Sequence, residues 1–158
     1  MKITDRRSRR KFMKKSALVA APMIVPSSVF AKPGKPAPSD KVVVGSIGVG
    51  DLGRRHHLNH LLGNSRVSVA AVCDVDQRHR DEAARDCFNR SKKRVGAYKD
   101  FRDLCDRKDV DAVLIATPDH WHALTAVYAM ETGKDVYCEK PLTLTIDEGK
   151  KMVSTARR

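Results

Sequence analysis

The sequence predicts an α/β fold, a doubly wound parallel sheet covered by helices on both faces, and three observations carry that expectation. Short apolar runs alternate with longer helical patterns along residues 41–158, as strand–helix–strand units require. Gly63-Asn64 and Gly133-Lys134 fall where a helix should stop and a strand begin. The first apolar run leads straight into a glycine-rich turn that opens a helical pattern.

Taken in order, Val42-Val43-Val44 with Ile47 reads as the first strand, Val67 to Cys73 as the second, Ala112 to Ala116 as a later one and Val136-Tyr137-Cys138 as the last. Helical patterns cover residues 51–62, 76–89, 101–107, 121–132 and 146–156. Residues 90–98 fit either coil or, over 94–98, a short third strand. No internal repeat or low-complexity segment interrupts the series.

The formal net charge of +12 is unevenly spread. Residues 1–31 hold eight Lys/Arg against one Asp, a net +7, which leaves +5 for residues 32–158. There the two signs alternate without interleaved aromatics, the composition of a solvated surface rather than a nucleic-acid face. Four cysteines, Cys73, Cys87, Cys105 and Cys138, lack zinc-type spacing, and two of them close apolar runs. They read as buried free thiols.

The N-terminus has the layout of an export leader. Arg9-Arg10-Lys11-Phe12 precedes an apolar stretch from Ser16 to Phe30, and Val29-Phe30-Ala31 offers small residues for cleavage. The paired arginines resemble the twin-arginine (Tat) consensus, which implies the Tat export machinery as a partner and a periplasmic or extracellular destination. Pro22 and Pro26 break the stretch and it falls short of about 18 apolar residues, so no stable membrane anchor is expected. Residues 32–40, with four prolines and glycines, read as an extended linker, and residues 41–158 as the folded domain.

Gly48-Val49-Gly50-Asp51-Leu52-Gly53 is a G-x-G-x-x-G that follows a strand and opens a helix. Gly48 allows the tight turn, Gly50 lets backbone approach a pyrophosphate, and Gly53 lets the helix pack on the strand. The helix start then offers N–H groups to the anion. Asp74 closes the second strand, 21 positions after Gly53, where a carboxylate can take the adenosine ribose hydroxyls. Strand, loop, helix, strand and acid together predict a Rossmann-type dinucleotide site. Asp74 would repel a 2′-phosphate, so NAD is expected ahead of NADP, a preference softened by Arg78 and His79. The Asp51 side chain is expected to point to solvent.

With these residues, Cys73-Asp74-Val75-Asp76, Tyr98-Lys99-Asp100-Phe101, Thr117-Pro118-Asp119-His120-Trp121-His122 and Glu139-Lys140-Pro141, the chain from about Lys41 onward resembles the glucose-fructose oxidoreductase and inositol dehydrogenase (Gfo/Idh/MocA) family. The resemblance implies that Lys140 is the catalytic lysine, reaching the nicotinamide ribose and the substrate, with Glu139 beside it and Pro141 after a cis peptide. It further implies that Thr117, Pro118 and His122 line the cofactor. The substrate class it implies is a sugar or cyclitol, with hydride moving between nicotinamide and a carbinol carbon. Some members of the family instead cleave glycosides through transient oxidation.

His56 and His60, four apart, and His120 and His122, flanking Trp121, lack an evident third ligand, so no metal site is expected. Trp121 fits either core or pocket wall. Family members carry a second, substrate-binding domain after this half, and 158 residues have no room for it. A truncated chain with open hydrophobic edges is therefore expected to self-associate. A non-catalytic dinucleotide-binding module and an inactive fragment stand as the alternatives to an oxidoreductase.

Overall fold

The computed structural model describes residues 36–158. The expected leader over 1–31 and the first part of the linker lie outside the described residues. Within 32–40 the end is not extended: Pro38–Asp40 forms a 3-10 turn, because proline starts the turn and the Asp40 carboxylate accepts from the Ala37 N–H at 3.3 Å.

Five parallel strands form one sheet in the order β3-β2-β1-β4-β5. They are β1 (Val42–Ile47), β2 (Val67–Cys73), β3 (Gly96–Tyr98), β4 (Ala112–Ile115) and β5 (Asp135–Cys138). The stretch that fitted coil or strand is thus a short edge strand. The helix after β1 winds as a π-helix over Leu52–Leu58 and continues as an α-helix over Asn59–Gly63; the two together are α1. The others are α2 (Gln77–Ser91), α3 (Phe101–Cys105), α4 (His122–Glu131) and α5 (Ile146–Ala156). A 3-10 turn over Asp119–Trp121 leads into α4, so that helix begins one residue later than its periodicity predicts.

Each helix start has a sequence reason. Asp76 and Asp100 accept from the N–H groups of Arg78 and Arg102 at 2.8 and 2.9 Å. Thr145 and Glu148 form a reciprocal capping box at the head of α5. Gly133 closes α4 at a φ of +78°, the left-handed geometry glycine adopts without steric cost.

Two cores lie on opposite faces of the sheet. On one, Leu58 of α1 and Ala83 and Cys87 of α2 meet Val49 and Val72. On the other, Leu104 and Cys105 of α3 and Ala126 and Ala129 of α4 meet Ile47, Cys73, Val113 and Ile115. The β1–β2 pairing skips one residue, from Val44↔Val69 to Gly45↔Ala71. That bulge puts Ala70 and Ala71 against the same core, and the alternation then resumes with Val72 and Cys73 on opposite faces.

The strands end in register. Tyr98, Cys73, Ile47, Ile115 and Cys138 form one row across the sheet. Backbone bonds continue one residue past it, from Asp74 N–H to Tyr98, Gly48 N–H to Cys73, Ala116 N–H to Ile47 and Glu139 N–H to Ile115, at 2.8 to 3.2 Å. The loops that carry the candidate site therefore all spring from one fixed line.

The four cysteines are free thiols, with Cys73, Cys87 and Cys105 buried and Cys138 half-buried. Burial pushes Cys73 up to about 12 and the other three to about 11. Their folded values exceed the ordinary 9.0, so the stability they contribute is present below pH 9 and is lost as pH rises toward 11 to 12. A disulfide-exchange reagent at pH 8 is expected to label Cys73, Cys87 and Cys105 only after unfolding, and urea midpoints are expected to fall from pH 8 to pH 10. Rapid labelling of these three in the folded chain would contradict their burial.

Candidate dinucleotide site

The sheet order reverses between β1 and β4, and a cleft of about 940 Å³ opens there at the carboxyl ends of the strands. Gly48, Asp74, Val75, Thr117, Pro118 and Trp121 are among the residues that line it. This is the crevice in which open α/β sheets hold their ligands.

The glycine loop fits its expected mechanics at two positions by steric necessity. Gly48 has a φ of +79°, and a Cβ there would stand 2.6 Å from the Ala116–Thr117 backbone. A Cβ on Gly53 would stand 1.9 Å from the Gly48 carbonyl oxygen. Gly50 differs, since its Cβ would meet only the His79 ring at 3.6 Å, an ordinary contact. Nothing inside the fold demands glycine there, so the demand falls on whatever lies over the loop. A pyrophosphate approaching the backbone supplies that reason.

Asp51 and Leu52 point outward. Asp51 pairs with Arg55 at 3.3 Å on the surface, and Leu52 is half exposed. Only their backbone, at the start of α1, faces the loop. Farther along α1, Arg54 bonds Glu82 and Asp86 of α2 at 2.8 and 3.0 Å, which fixes the helix that carries the loop's N–H groups.

Asp74 stands where the ribose acid should. Its Oδ2 accepts from the Val49 N–H at 2.9 Å and its Oδ1 from the Asp76 N–H at 3.0 Å. The carboxylate thus ties β2 to the glycine loop. Each oxygen keeps a second lone pair, enough to accept two ribose hydroxyls. Across the cleft, the Thr117 hydroxyl is buried with no hydrogen-bond partner among the described residues, and a polar group left so costs stability unless a ligand meets it. The cleft accordingly fits the adenosine end of a dinucleotide.

His122 corrects the sequence expectation. It does not line the cleft: it is 2% exposed, with Nδ1 2.6 Å from the Pro141 carbonyl oxygen and Nε2 2.8 Å from that of Thr117. The inward face of α4, with Thr125, Ala126 and Ala129, carries it beneath the loops. It braces the Thr117-Pro118 loop against the Glu139-Lys140-Pro141 loop. Trp121, left open by the sequence, is a cleft wall: 43% exposed and edge-on to Phe101, with ring centres 6.5 Å apart.

Glu139 and Lys140 follow β5, and the Lys140–Pro141 bond is cis. Lys140 is exposed, in the loop that follows β5. The Lys140 N–H donates to Glu139 at 3.2 Å and, with nearby His57, holds that carboxyl below its ordinary value. His57 and Tyr137 escaped the sequence reading. His57 Nε2 lies 2.9 Å from Glu139 Oε1, near enough for an ion pair but off the line of an N–H bond, and the Tyr137 hydroxyl donates to the same oxygen at 3.4 Å. His57 lies one helical turn after Gly53, a spacing that could have drawn attention to it. Lys99, Asp100, Phe101 and Arg102 also line the cleft, the first three from a motif that marked the family but was given no site role; hydrogen bonds from Arg102 hold the Asp100 carboxyl near 2. His56 and His60 sit on the surface, rings 4.7 Å apart, and no cluster of three metal-ligating side chains occurs among the described residues.

The fold and the cleft define a dinucleotide-binding Rossmann domain. The chain belongs to the Gfo/Idh/MocA oxidoreductase family, whose NAD-binding Rossmann-fold model matches residues 42–158. It is 38% identical, over 96% of its length, to a glycosyl hydrolase family 109 protein of Shewanella pealeana. It is 36% identical, over 95%, to an α-N-acetylgalactosaminidase of Shewanella oneidensis. It spans 37% of the length of each of these relatives. Among solved structures, myo-inositol 2-dehydrogenase from Lactobacillus plantarum superposes with a TM-score of 0.66 at 29% identity, covering 74% of this chain and 33% of that one. A 3-ketoreductase from Actinomadura kijaniata, solved with NADP, gives 0.66 at 26%, covering 74% and 35%. The domain binds NAD.

Two glycine substitutions separate fold from site. Gly53→Ala is expected to cost about 1–3 kcal/mol of stability, the range of an overpacked contact. Gly50→Ala should leave the urea midpoint in place and weaken NAD about tenfold or more. Equal midpoints for the two variants would contradict the loop geometry.

Proposed function

We propose that residues 41–158 are the nucleotide-binding part of an exported NAD-dependent enzyme that acts on a sugar, and that glycoside cleavage is the reaction served. The observation that carries this reading is the convergence of the glycine loop, Asp74, Thr117 and the Glu139-Lys140 turn on one edge of the sheet. The α-N-acetylgalactosaminidase and family 109 relatives, similar along almost the whole chain, support the glycoside-cleaving form. The arginine pair and apolar stretch of the leader support export by a Tat-type route to the periplasm or exterior.

Gly48, Gly50 and the first turn of α1 would hold the pyrophosphate, Asp74 the adenosine ribose, and Thr117 and Pro118 the wall between them. Bound NAD supplies a hydride acceptor at a sugar carbon. Lys140 would take up the proton of the hydroxyl on that carbon and return it to the same oxygen at the end of the cycle; between the two, loss of the neighbouring C–H proton with the aglycone as leaving group, then addition of water, would break the glycosidic bond with no net redox change. Glu139, which accepts from the Lys140 N–H, fixes the turn that carries the lysine. His122 holds the Thr117 and Lys140 loops at a constant separation, so that cofactor wall and acid-base group stay aligned.

A second reading is net oxidation of a sugar or cyclitol, favoured by the likeness to the inositol dehydrogenase. The full chain titrated with NAD, then incubated with NAD and an aryl α-N-acetylgalactosaminide, separates the readings. Release of the phenol without accumulation of NADH, abolished in Lys140→Ala, is the expected result. Accumulation of NADH with inositol or a free sugar would establish the oxidoreductase. NAD binding without turnover of either substrate would leave a non-catalytic binding module, and a folded chain that fails to bind NAD would overturn both readings.

A further inference from the structure

The contact between α1 and the Glu139-Lys140 turn is nearly closed to water yet incomplete. The side chains of His57 and Glu139 are 11% and 14% exposed, and Nε2 lies 2.9 Å from Oε1. That nitrogen is buried with no hydrogen-bond partner among the described residues, its direction missing the carboxylate. An imidazole held so close to an anion and sealed from water loses stability until the bond is made. Glu139 is the standing anion of the pair, its carboxyl kept below the ordinary value chiefly by the Lys140 N–H.

The winding of α1 brings His57 to this place. Gly53 abuts the Gly48 carbonyl, and Leu58 is fully buried in the core. Each residue of an α-helix turns ~100° about the axis, so α winding from Gly53 would set His57 near the line of the glycine and swing Leu58 away from the sheet. The wider π turn over Leu52–Leu58 keeps both on the sheet side. One segment thus serves the glycine loop through Gly53, the core through Leu58 and Glu139 through His57. Tyr137 is a weaker second hold, 58% exposed and with its hydroxyl 3.4 Å from the same oxygen.

We propose that His57 is a positioning residue for Lys140: when a dinucleotide occupies the cleft, its Nε2–H closes onto Glu139 and locks the turn that presents the lysine. The inference rests on the reading of Lys140 as the group that reaches the nicotinamide ribose, and adds the residue that holds it there. Glu139 then has a donor on each oxygen, His57 on Oε1 and the Lys140 N–H on Oε2. The turn cannot swing away without losing a charge-assisted bond. His57 does not line the cleft. It acts through Glu139, and ties the helix that follows the glycine loop to the loop that carries the lysine.

The test is the acetylation rate of Lys140 in the full chain, read by mass spectrometry with and without saturating NAD, against Lys150, an exposed lysine of α5. The chains compared are the wild type, His57→Leu, His57→Gln, Glu139→Ala and His57→Leu combined with Glu139→Ala, each with calorimetric NAD titration and thermal unfolding. In the wild type, NAD is expected to slow acetylation of Lys140 about tenfold. His57→Leu, which fills the space without an N–H, should bind NAD within about threefold of wild type and lose most of that protection. His57→Gln keeps a donor and should recover it in part. In the Glu139→Ala background His57→Leu should change nothing further, since its action runs through the carboxylate. If leucine unfolds the chain, His57→Ala, which suits a helix, is read in its place. Protection in His57→Leu equal to that of the wild type, or a loss shared in full by His57→Gln, overturns the positioning role and leaves the reading of Lys140 intact. A wild type that binds NAD with Lys140 unprotected removes that reading and the inference with it. A folded wild type that binds no NAD removes the dinucleotide reading as well.

Discussion

The common row at which the strands end is the constraint on which the site depends. Tyr98, Cys73, Ile47, Ile115 and Cys138 are register partners from edge to edge, and the ladder carries the next backbone groups as well. Parallel strands send every loop at this edge off in the same sense. Gly48 and Glu139, 91 positions apart in sequence, therefore start from the same row, with only β4 between them. A slip of one residue in any pairing would turn side chains to the opposite face and empty the two cores. The bulge at Ala70 shows how closely this is held: the one extra residue is absorbed in mid-strand, and the end of β2 is still level with β1.

Above that row, the loops are tied to one another by polar groups that serve structure and site at once. Asp74 fastens the glycine loop through the Val49 N–H and keeps lone pairs for a ligand. His122 spans the Thr117 and Pro141 carbonyls from beneath. Glu139 is gripped by the Lys140 N–H, His57 and Tyr137. Such ties place reacting groups without depending on the loops' own stiffness. The Thr117 hydroxyl and His57 Nε2 are exceptions, both buried with no hydrogen-bond partner among the described residues.

Much of the fold was legible because hydrophobic periodicity is local. The strand and helix series, the capping residues and the boundaries of α5 all follow from neighbours in the chain. The short β3 was ambiguous because Gly96–Tyr98 is an edge strand of three residues, too short to show an alternation. The π-helical winding of Leu52–Leu58 left no mark in a pattern read at 3.6 residues per turn. In the site, the glycines and Asp74 could be found from spacing, since a phosphate loop and its ribose acid are separated by one helix and one strand. Tyr137, two residues before Glu139 on the same extended segment, was within reach of spacing, but His57 could not be placed beside Glu139, because that meeting depends on how α1 packs on the sheet.

By itself the sequence determined the α/β class, the glycine loop, the ribose acid and the motifs that mark the family, all of which are written within short stretches of chain. Only the tertiary structure decided the strand order, the burial of His122 as a brace between two loops, the role of Trp121 as a cleft wall, and the meeting of His57 with Glu139. The reason is geometric. Local spacing fixes which face of an element a residue occupies, whereas the partner across a gap is set by the packing of whole helices on the sheet and by strand register.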